Sequence, residues 1–216
     1  MTKKRYQGET NDKERSMQRL MEAVGCVIKE KGYAGLGPTN IAKAAGLSKR
    51  LIYLYFGSVD NLIEKYVRSK DYFAGASNGA AQLLEKDKEA GTCKLLESML
   101  VNQLEHFYNN EEMQKIILWQ ISERSQIMFE VAETREVLGN HFFELADKEL
   151  DKGKADLRAV AGLLVGGIYY MVLHAKSNDS LFCQIDVNTQ EGITRIKNAI
   201  GEILSDAYKR APLQKN

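Results

Sequence analysis

The 216-residue chain holds three cysteines, two prolines and one tryptophan. Cys26, Cys93 and Cys183 lie far apart, with no C-x-x-C spacing. That argues against a disulfide scaffold or a paired-cysteine metal knuckle, and an odd number of thiols fits a reducing cytosol, with buried thiols the default. Only two prolines interrupt the chain, and no segment alternates apolar with polar residues as a half-buried strand would. No internal repeat is evident. The N-terminus is charged rather than apolar, so no export signal is expected. The longest apolar stretch, Ala159 to Ala175, contains three glycines and a histidine. It falls short of the roughly 20 residues that cross a bilayer, and reads as a core or interface helix. No H-E-x-x-H, Walker loop or dinucleotide fingerprint occurs. His106, His141 and His174 are widely separated, and none follows a Glu by three residues as a di-iron bundle requires. No metal, no cofactor and no catalytic residue is expected. Satisfied polar groups in or near the core are the simpler account of the histidines.

What is present is an uneven charge. The formal net charge is +1, yet residues 1–70 carry 14 Lys and Arg against 7 Asp and Glu, and residues 71–216 carry 16 against 22. A front at +7 and a rear at −6 suggest a polyanion-binding segment joined to a part that should not bind DNA. The length allows one large or two modest domains, and a hydrophobic content of 44% is enough for real cores.

Helical periodicity runs through the chain. Residues 1–10 read as a polar, basic tail in which Lys3, Lys4 and Arg5 are available to touch phosphates, with fraying the simpler reading. Asn11 and Glu14 have capping-box spacing, and Met17, Leu20, Met21, Val24, Val27 and Ile28 make one apolar stripe that ends at Gly32. Ser58 opens a further helix with Leu62, Ile63, Tyr66, Val67 and Phe73 inward. A bend lies within 74–92. Thr92 caps a helix carrying Leu95, Leu96, Met99, Leu100, Leu104 and Phe107, broken at Asn109–Asn110. Met113, Ile116, Ile117 and Trp119 mark a shorter one. A long helix near 125–151 has Ile127, Val131, Thr134, Leu138, Phe142 and Leu145 in register and stops at Lys152-Gly153-Lys154. Leu157–Ala175 and Asn188–Lys209 are the last two, the latter opened by Asn188 and Glu191 as a capping box. The fold class is all-α.

The most informative stretch is PTNIAKAAGLSKRLIYLYF, residues 38–56. Pro38 suits a first helical position, where its missing N–H costs nothing. Ile41, Ala42 and Ala45 share a face, Gly46 permits a sharp reversal, Leu47 plugs the turn and Ser48 caps the next helix. Ile52 and Tyr55 continue the inward face, leaving Lys49, Arg50, Leu51 and Tyr53 outward. Two short helices over an Ala-Gly joint are a helix-turn-helix or an ordinary αα-hairpin with a basic surface. The first helix of the chain is required to cover them, because two alone bury too little. Residues 41–67, IAKAAGLSKRLIYLYFGSVDNLIEKYV, closely resemble the DNA-binding domain of TetR-type transcriptional repressors. The Ile-Ala pair, the Ala-Gly-Leu-Ser turn, the Tyr-x-Tyr-Phe run and the Ser-led amphipathic helix all match. The resemblance covers about the first third of the chain. The sequence departs from the family at Leu36-Gly37-Pro38, where a Thr or Ser usually opens the helix, at Arg50-Leu51, where smaller residues are common, and at Val59, where a phosphate-binding lysine is frequent. The first two suggest a distinct operator and the third one fewer phosphate contact.

A major-groove helix reads bases with the residues at its exposed N-terminal end. Arg50 suits guanine O6 and N7, Leu51 a thymine methyl, and Lys49 either a base or a phosphate. Tyr53 resembles the family's phosphate-contacting tyrosine, while Thr39 and Ser48 stand at helix N-termini that hold phosphates. With Tyr55 these form the expected double-stranded DNA contact set.

The resemblance implies an effector pocket in a rear helical bundle and a homodimer interface from the last two helices. Independently, Leu157–Ala175 is apolar on more than one side and needs two covers. Leu163, Gly166 and Gly167, with Gly162, allow close approach by a partner helix, and Ile193, Ile196, Ile200 and Ile203 supply a second stripe. Phe107, Trp119, Met128, Phe142, Tyr170 and His174 are the candidate pocket residues, although core packing is the simpler account of each, and their character favours a small, mostly apolar effector. The expected organisation is a helix-turn-helix DNA-binding domain over 1–57, a linking helix over 58–78, and a helical effector-binding and dimerisation domain over 79–216, in the cytoplasm and with no membrane partner. The expected function is a ligand-responsive repressor on a palindromic operator. Two rivals are an effector-less DNA-binding protein controlled by a protein partner and a helical-bundle enzyme.

Overall fold

In the computed structural model, which describes residues 6–70, 91–150 and 155–210, nine α-helices lie among the described residues. They are α1 (Tyr6–Lys31), α2 (Pro38–Ala45), α3 (Arg50–Phe56), α4 (Val59–Lys70), α5 (Gly91–Tyr108), α6 (Glu111–Ser122), α7 (Gln126–Glu149), α8 (Leu157–Asn178) and α9 (Gln190–Arg210). The only β pairing among them is an isolated bridge between Phe182 and Ile185. The fold is all-α, as the periodicity predicts. Lys3, Lys4, Arg5, Phe73, nearly all of the 74–92 bend, the side chain of Leu138 and Lys152-Gly153-Lys154 lie outside the described residues.

The chain divides into two compact units, and the division is not a simple front and rear. One unit takes residues 1–71 and 111–132, the other 72–110 and 133–216. Thus α6 and the first turns of α7, expected in the rear domain, cluster with the front. The reason is in the core: Ile116, Trp119, Met128 and Val131 extend the apolar cluster that α1–α4 begin.

In the front unit α1 is the post, packing against α2, α3, α4 and α6. Leu20, Val24 and Ile28 of α1 meet Ile41 of α2, Ile52 of α3 and Leu62 of α4, all fully buried. Each such side chain contributes about 1.5–3 kcal/mol. That packing is what makes α2 and α3 helical, since eight and seven residues are too few to hold a helix in water. The start of α1 departs from expectation: the helix already runs from Tyr6, so Asn11 lies inside it and not at its cap. Its end is as expected, with Gly32 at φ 67°.

In the rear unit α5 packs on α8 and α9, which also pack on each other. Two helix starts differ from the sequence reading, at Thr92 and Asn188, and the start of α8, for which the sequence reading named no cap, has one. Thr92 lies inside the first turn of α5, where its N–H and hydroxyl both donate to Glu149 Oε2 at 2.9 and 2.6 Å. Asp156 caps α8 by accepting from the Ala159 N–H at 2.9 Å. Thr189, not Asn188, caps α9, its hydroxyl accepting from the Gly192 N–H at 3.1 Å. Asn188 turns back instead and donates to the Ala175 carbonyl and to Asp179. Helix α8 is also longer than its apolar run suggests. At 22 residues it is long and apolar enough to cross a bilayer by length and composition. Its Leu157, Ala161, Ile168, Val172 and Ala175 are nevertheless buried within the chain's own rear unit.

Candidate nucleic-acid interface

The α2–α3 corner is held from three sides. Gly46 ends α2 in the left-handed region at φ 62°, ψ 35°, and its N–H reaches back to the Lys43 carbonyl at 3.1 Å. Arg19, from α1, donates to the Ala45 carbonyl at 2.7 Å, placing a cation at the negative end of that helix. A Cβ on residue 46 would stand 3.2 Å from the same guanidinium. Leu47 is half-buried against the core, so it is the plug the sequence implied. At the far end of α3, Asn61 donates to the Phe56 carbonyl at 2.9 Å, and the Ser58 hydroxyl accepts from the Asn61 N–H at 3.0 Å. Ser48 supports α3 at its start, accepting from the Arg50 N–H at 3.3 Å. At the N-terminus of α2, Gly37 is extended and supplies no side-chain cap, consistent with the loss of Thr or Ser there.

These supports fix which side chains of α3 face outward. Ser48, Lys49 and Arg50 are exposed, and Tyr53 is 52% exposed. Thr39 is exposed in the first turn of α2. Leu51 departs from the expected outward placement: it is half-buried and packs on the core, as Leu47 in the preceding turn does. Tyr55 is also half-buried, with the Lys13 ammonium 5.9 Å from its ring centroid. Sequence reasoning passed over Leu54, which is 64% exposed beside Tyr53. An apolar residue one turn after Arg50 on an otherwise cationic surface was the available signal. The outward set is therefore two cations, a phenol and an apolar side chain, suited to phosphates, a guanine edge and a thymine methyl.

A second constellation in the same unit escaped the sequence reading entirely. Glu112, at the start of α6, receives Lys29 of α1 at 3.2 Å, Lys70 of α4 at 2.8 Å and the Tyr66 hydroxyl of α4 at 2.6 Å. Burial works to raise the Glu112 carboxyl, but hydrogen bonds from Lys70, Tyr66 and Lys29 outweigh it and hold it at about 2. Burial, then the bond to this carboxylate, pushes the Tyr66 phenol far up. Gly25 makes room: a Cβ there would lie 2.6 Å from Tyr66 Oη. The carboxylate ties α6 to the two helices that carry α2 and α3.

The six expected pocket residues do not converge. Trp119 and Met128 belong to the front unit. Trp119 stacks on Tyr33 with ring centroids 5.8 Å apart and donates to Glu123 at 3.0 Å, which is a packing role. Met128 is buried in the front core and lines an open depression of about 510 Å³ with Gln120, Arg124 and Phe129. Phe107 and Phe142 are buried in the rear unit, Phe107 edge-on to Tyr169 at 4.8 Å. Tyr170 is 55% exposed and groups with His174 and Phe182. The rear residue that the pattern concealed is Gln103, 2% exposed, whose Nε2 and Oε1 have no partner among the described residues. It sits three after Leu100 and four before Phe107, a polar residue in the middle of an apolar stripe. No group of three or more His, Cys, Asp or Glu among the described residues is placed to hold a metal.

The expected dimer residues separate into two kinds. Leu163 is 78% exposed, Ile203 is 43% exposed, and a Cβ added at Gly162, Gly166 or Gly167 would meet nothing within 4 Å. Ile193, Ile196 and Ile200 are different: they are buried in the rear unit's own core, because their face of α9 turns toward α5 and α8.

Residues 26–66 match the family described as bacterial regulatory proteins, tetR family. The chain is 28% identical over 158 residues to the nucleoid occlusion factor SlmA of Haemophilus ducreyi, across 71% of this chain and 76% of that protein. Among solved structures it resembles the fatty acid degradation regulator FadR from Bacillus halodurans, with TM-score 0.64 and 17% identity over 90% of this chain and 97% of that one. It also resembles FadR from Bacillus subtilis, solved in complex with stearoyl-CoA, with TM-score 0.58 and 18% identity over 88% and 98%. At those identities the structural likeness concerns the fold. Residues 26–66 are therefore a helix-turn-helix of the tetR family of bacterial regulatory proteins, the DNA-binding part of a transcription regulator, set in an all-α fold.

Proposed function

We propose that this regulator binds a palindromic operator as a homodimer and is released by a small, mostly apolar effector. The observation that carries the DNA half is the outward face of α3, where Lys49, Arg50 and Tyr53 are exposed while Ile52 and Phe56 anchor the helix behind them. The dimer half takes support from α8. Ala159, Gly162, Leu163, Gly166 and Tyr170 form an exposed, largely apolar stripe on the side away from its buried residues. A second copy covers that stripe most economically, through a two-fold contact that a palindromic site mirrors. The effector half draws on the apolar rear unit and on a fold-relative solved with stearoyl-CoA.

The mechanism is a population shift. The effector binds more tightly to a dimer shape whose recognition helices no longer match successive major grooves about 34 Å apart. Equal affinity for both shapes would shift nothing. The direct test is a mobility-shift titration on duplexes from around the protein's own gene at several salt concentrations. Binding that falls steeply with salt is expected. Absence of any shifted, salt-dependent complex would end this reading.

An effector-less DNA-binding protein of the same fold is the second reading, favoured by the relative named for nucleoid occlusion. Genome-wide footprinting separates the two. Sites concentrated beside a few genes support the operator reading, and many dispersed sites support the other.

A further inference from the structure

The rear unit contains one buried polar side chain among the described residues, and it is unpaired. Gln103 is 2% exposed, and neither its amide nitrogen nor its amide oxygen has a hydrogen-bond partner among those residues. The other buried residues of α5 are Leu95, Leu96, Leu100, Leu104 and Phe107. The faces that α8 and α9 turn inward are equally apolar. A primary amide carries two donors and one strong acceptor. Stranding all three in hydrocarbon is destabilising, and a leucine or methionine of similar volume would fill the same space without that cost. Buried polar groups in folded chains are nearly always satisfied, so one left unsatisfied among the described residues calls for a further partner, and a bound molecule can supply it.

We infer that Gln103 is the polar anchor of the effector site, and that the effector is an uncharged, mostly apolar molecule bearing an amide. This rests on the reading of the rear unit as effector-binding. The chemistry narrows the ligand in two ways. Apart from Gln103, the buried side chains that α5, α8 and α9 supply are uncharged and apolar, so an ionised headgroup among them would find no countercharge and a neutral one is selected. A group that only accepts or only donates would leave half of the Gln103 amide unpaired. A second amide satisfies both halves at once through paired N–H···O=C bonds. The hydrocarbon remainder of the ligand matches the leucines and Phe107 around it.

The test uses the full-length protein with octanamide, 1-octanol and octanoate as probes, by calorimetry and thermal shift, on wild type, Gln103→Leu and Gln103→Met. Wild type is expected to bind octanamide most tightly, 1-octanol next and octanoate least. Both variants are expected to raise the melting temperature of the free protein by about 3 °C, because an unsatisfied amide has been removed. They are also expected to bind octanamide about tenfold more weakly, down to the level of 1-octanol. A residue that merely supports the fold would behave oppositely, losing stability on replacement. The inference is overturned if either variant melts lower than wild type, if octanamide binding is unchanged in both, or if octanoate binds best. An operator mobility shift in parallel keeps the two readings apart. A protein that binds DNA but no octanamide retains the regulator reading and refutes this site. One that binds octanamide through Gln103 but shifts no duplex does the reverse.

Discussion

The Tyr66 hydroxyl donates a 2.6 Å hydrogen bond to Glu112 Oε2, joining α4 to α6. Tyr66 is 2% exposed, so its hydroxyl has little access to water once that acceptor is gone. Glu112→Ala should destabilise the protein by about 1–3 kcal/mol, since it strands a buried donor. Urea unfolding of the two proteins gives the difference directly. An unchanged midpoint would show that the contact is not made in solution.

The same carboxylate gives the front unit an acid sensitivity of known sign. Its pKa is held at about 2, below the ordinary 4.5. A group depressed in the folded state adds stability above its ordinary value and loses it as pH falls toward the folded value. The stability gap between wild type and Glu112→Gln should therefore be constant above pH 4.5 and close between 4.5 and about 2. Chemical denaturation across that range reads it. A gap that widens on acidification would contradict the assignment.

Gly25 should be intolerant of even a methyl group. An alanine Cβ there falls 2.6 Å from Tyr66 Oη and 3.0 Å from Glu112 Oε1. Gly25→Ala is expected to cost about 1–3 kcal/mol despite the better helix propensity of alanine. A more stable variant would mean that Tyr66 moves aside freely.

On α3, Arg50→Ala and Leu51→Ala should part company. Arg50 is exposed, so its loss should leave the melting temperature unchanged and weaken discrimination at one base pair by about 1–3 kcal/mol. Leu51 packs on the core, and its loss should lower the melting temperature. Competition binding with operator variants, paired with thermal melts, distinguishes them. Reversing both Lys49 and Arg50 to Glu should abolish operator binding while sparing self-association.

The α8 stripe makes a prediction about assembly. Leu163 is 78% exposed, so Leu163→Glu should not unfold the subunit, but it should dissociate the proposed homodimer. Sedimentation at several concentrations reads the outcome. A variant that associates as wild type does would place the interface elsewhere.

Much of this was legible in the sequence, for a physical reason. Pro38, Gly46 and Ser58 are local signals whose effect is complete within four residues, and each acts where the sequence puts it. Burial of Ile41, Ile52, Leu62 and Phe107 follows from periodicity alone. What escaped were relationships between distant segments. Lys29, Tyr66, Lys70 and Glu112 are ordinary residues until three helices meet. Thr189 displaces Asn188 as a cap because Asn188 is engaged by Ala175 and Asp179. Ile193, Ile196 and Ile200 share a stripe with Ile203, but periodicity does not say that the chain's own α5 and α8 cover most of it. The allotment of α6 to the front unit depends on Ile116 and Trp119 finding the α1 core, which no spacing in 111–122 announces.

The groups that hold α3 in place are Ile52, Phe56, Ser48 and Asn61, and those it presents outward are Lys49, Arg50, Tyr53 and Leu54. Only Ser48, exposed and also bonded to the Arg50 N–H, belongs to both sides. Operator preference is therefore free to drift, in evolution or in a library randomised at 49, 50, 53 and 54, without endangering the architecture beneath it.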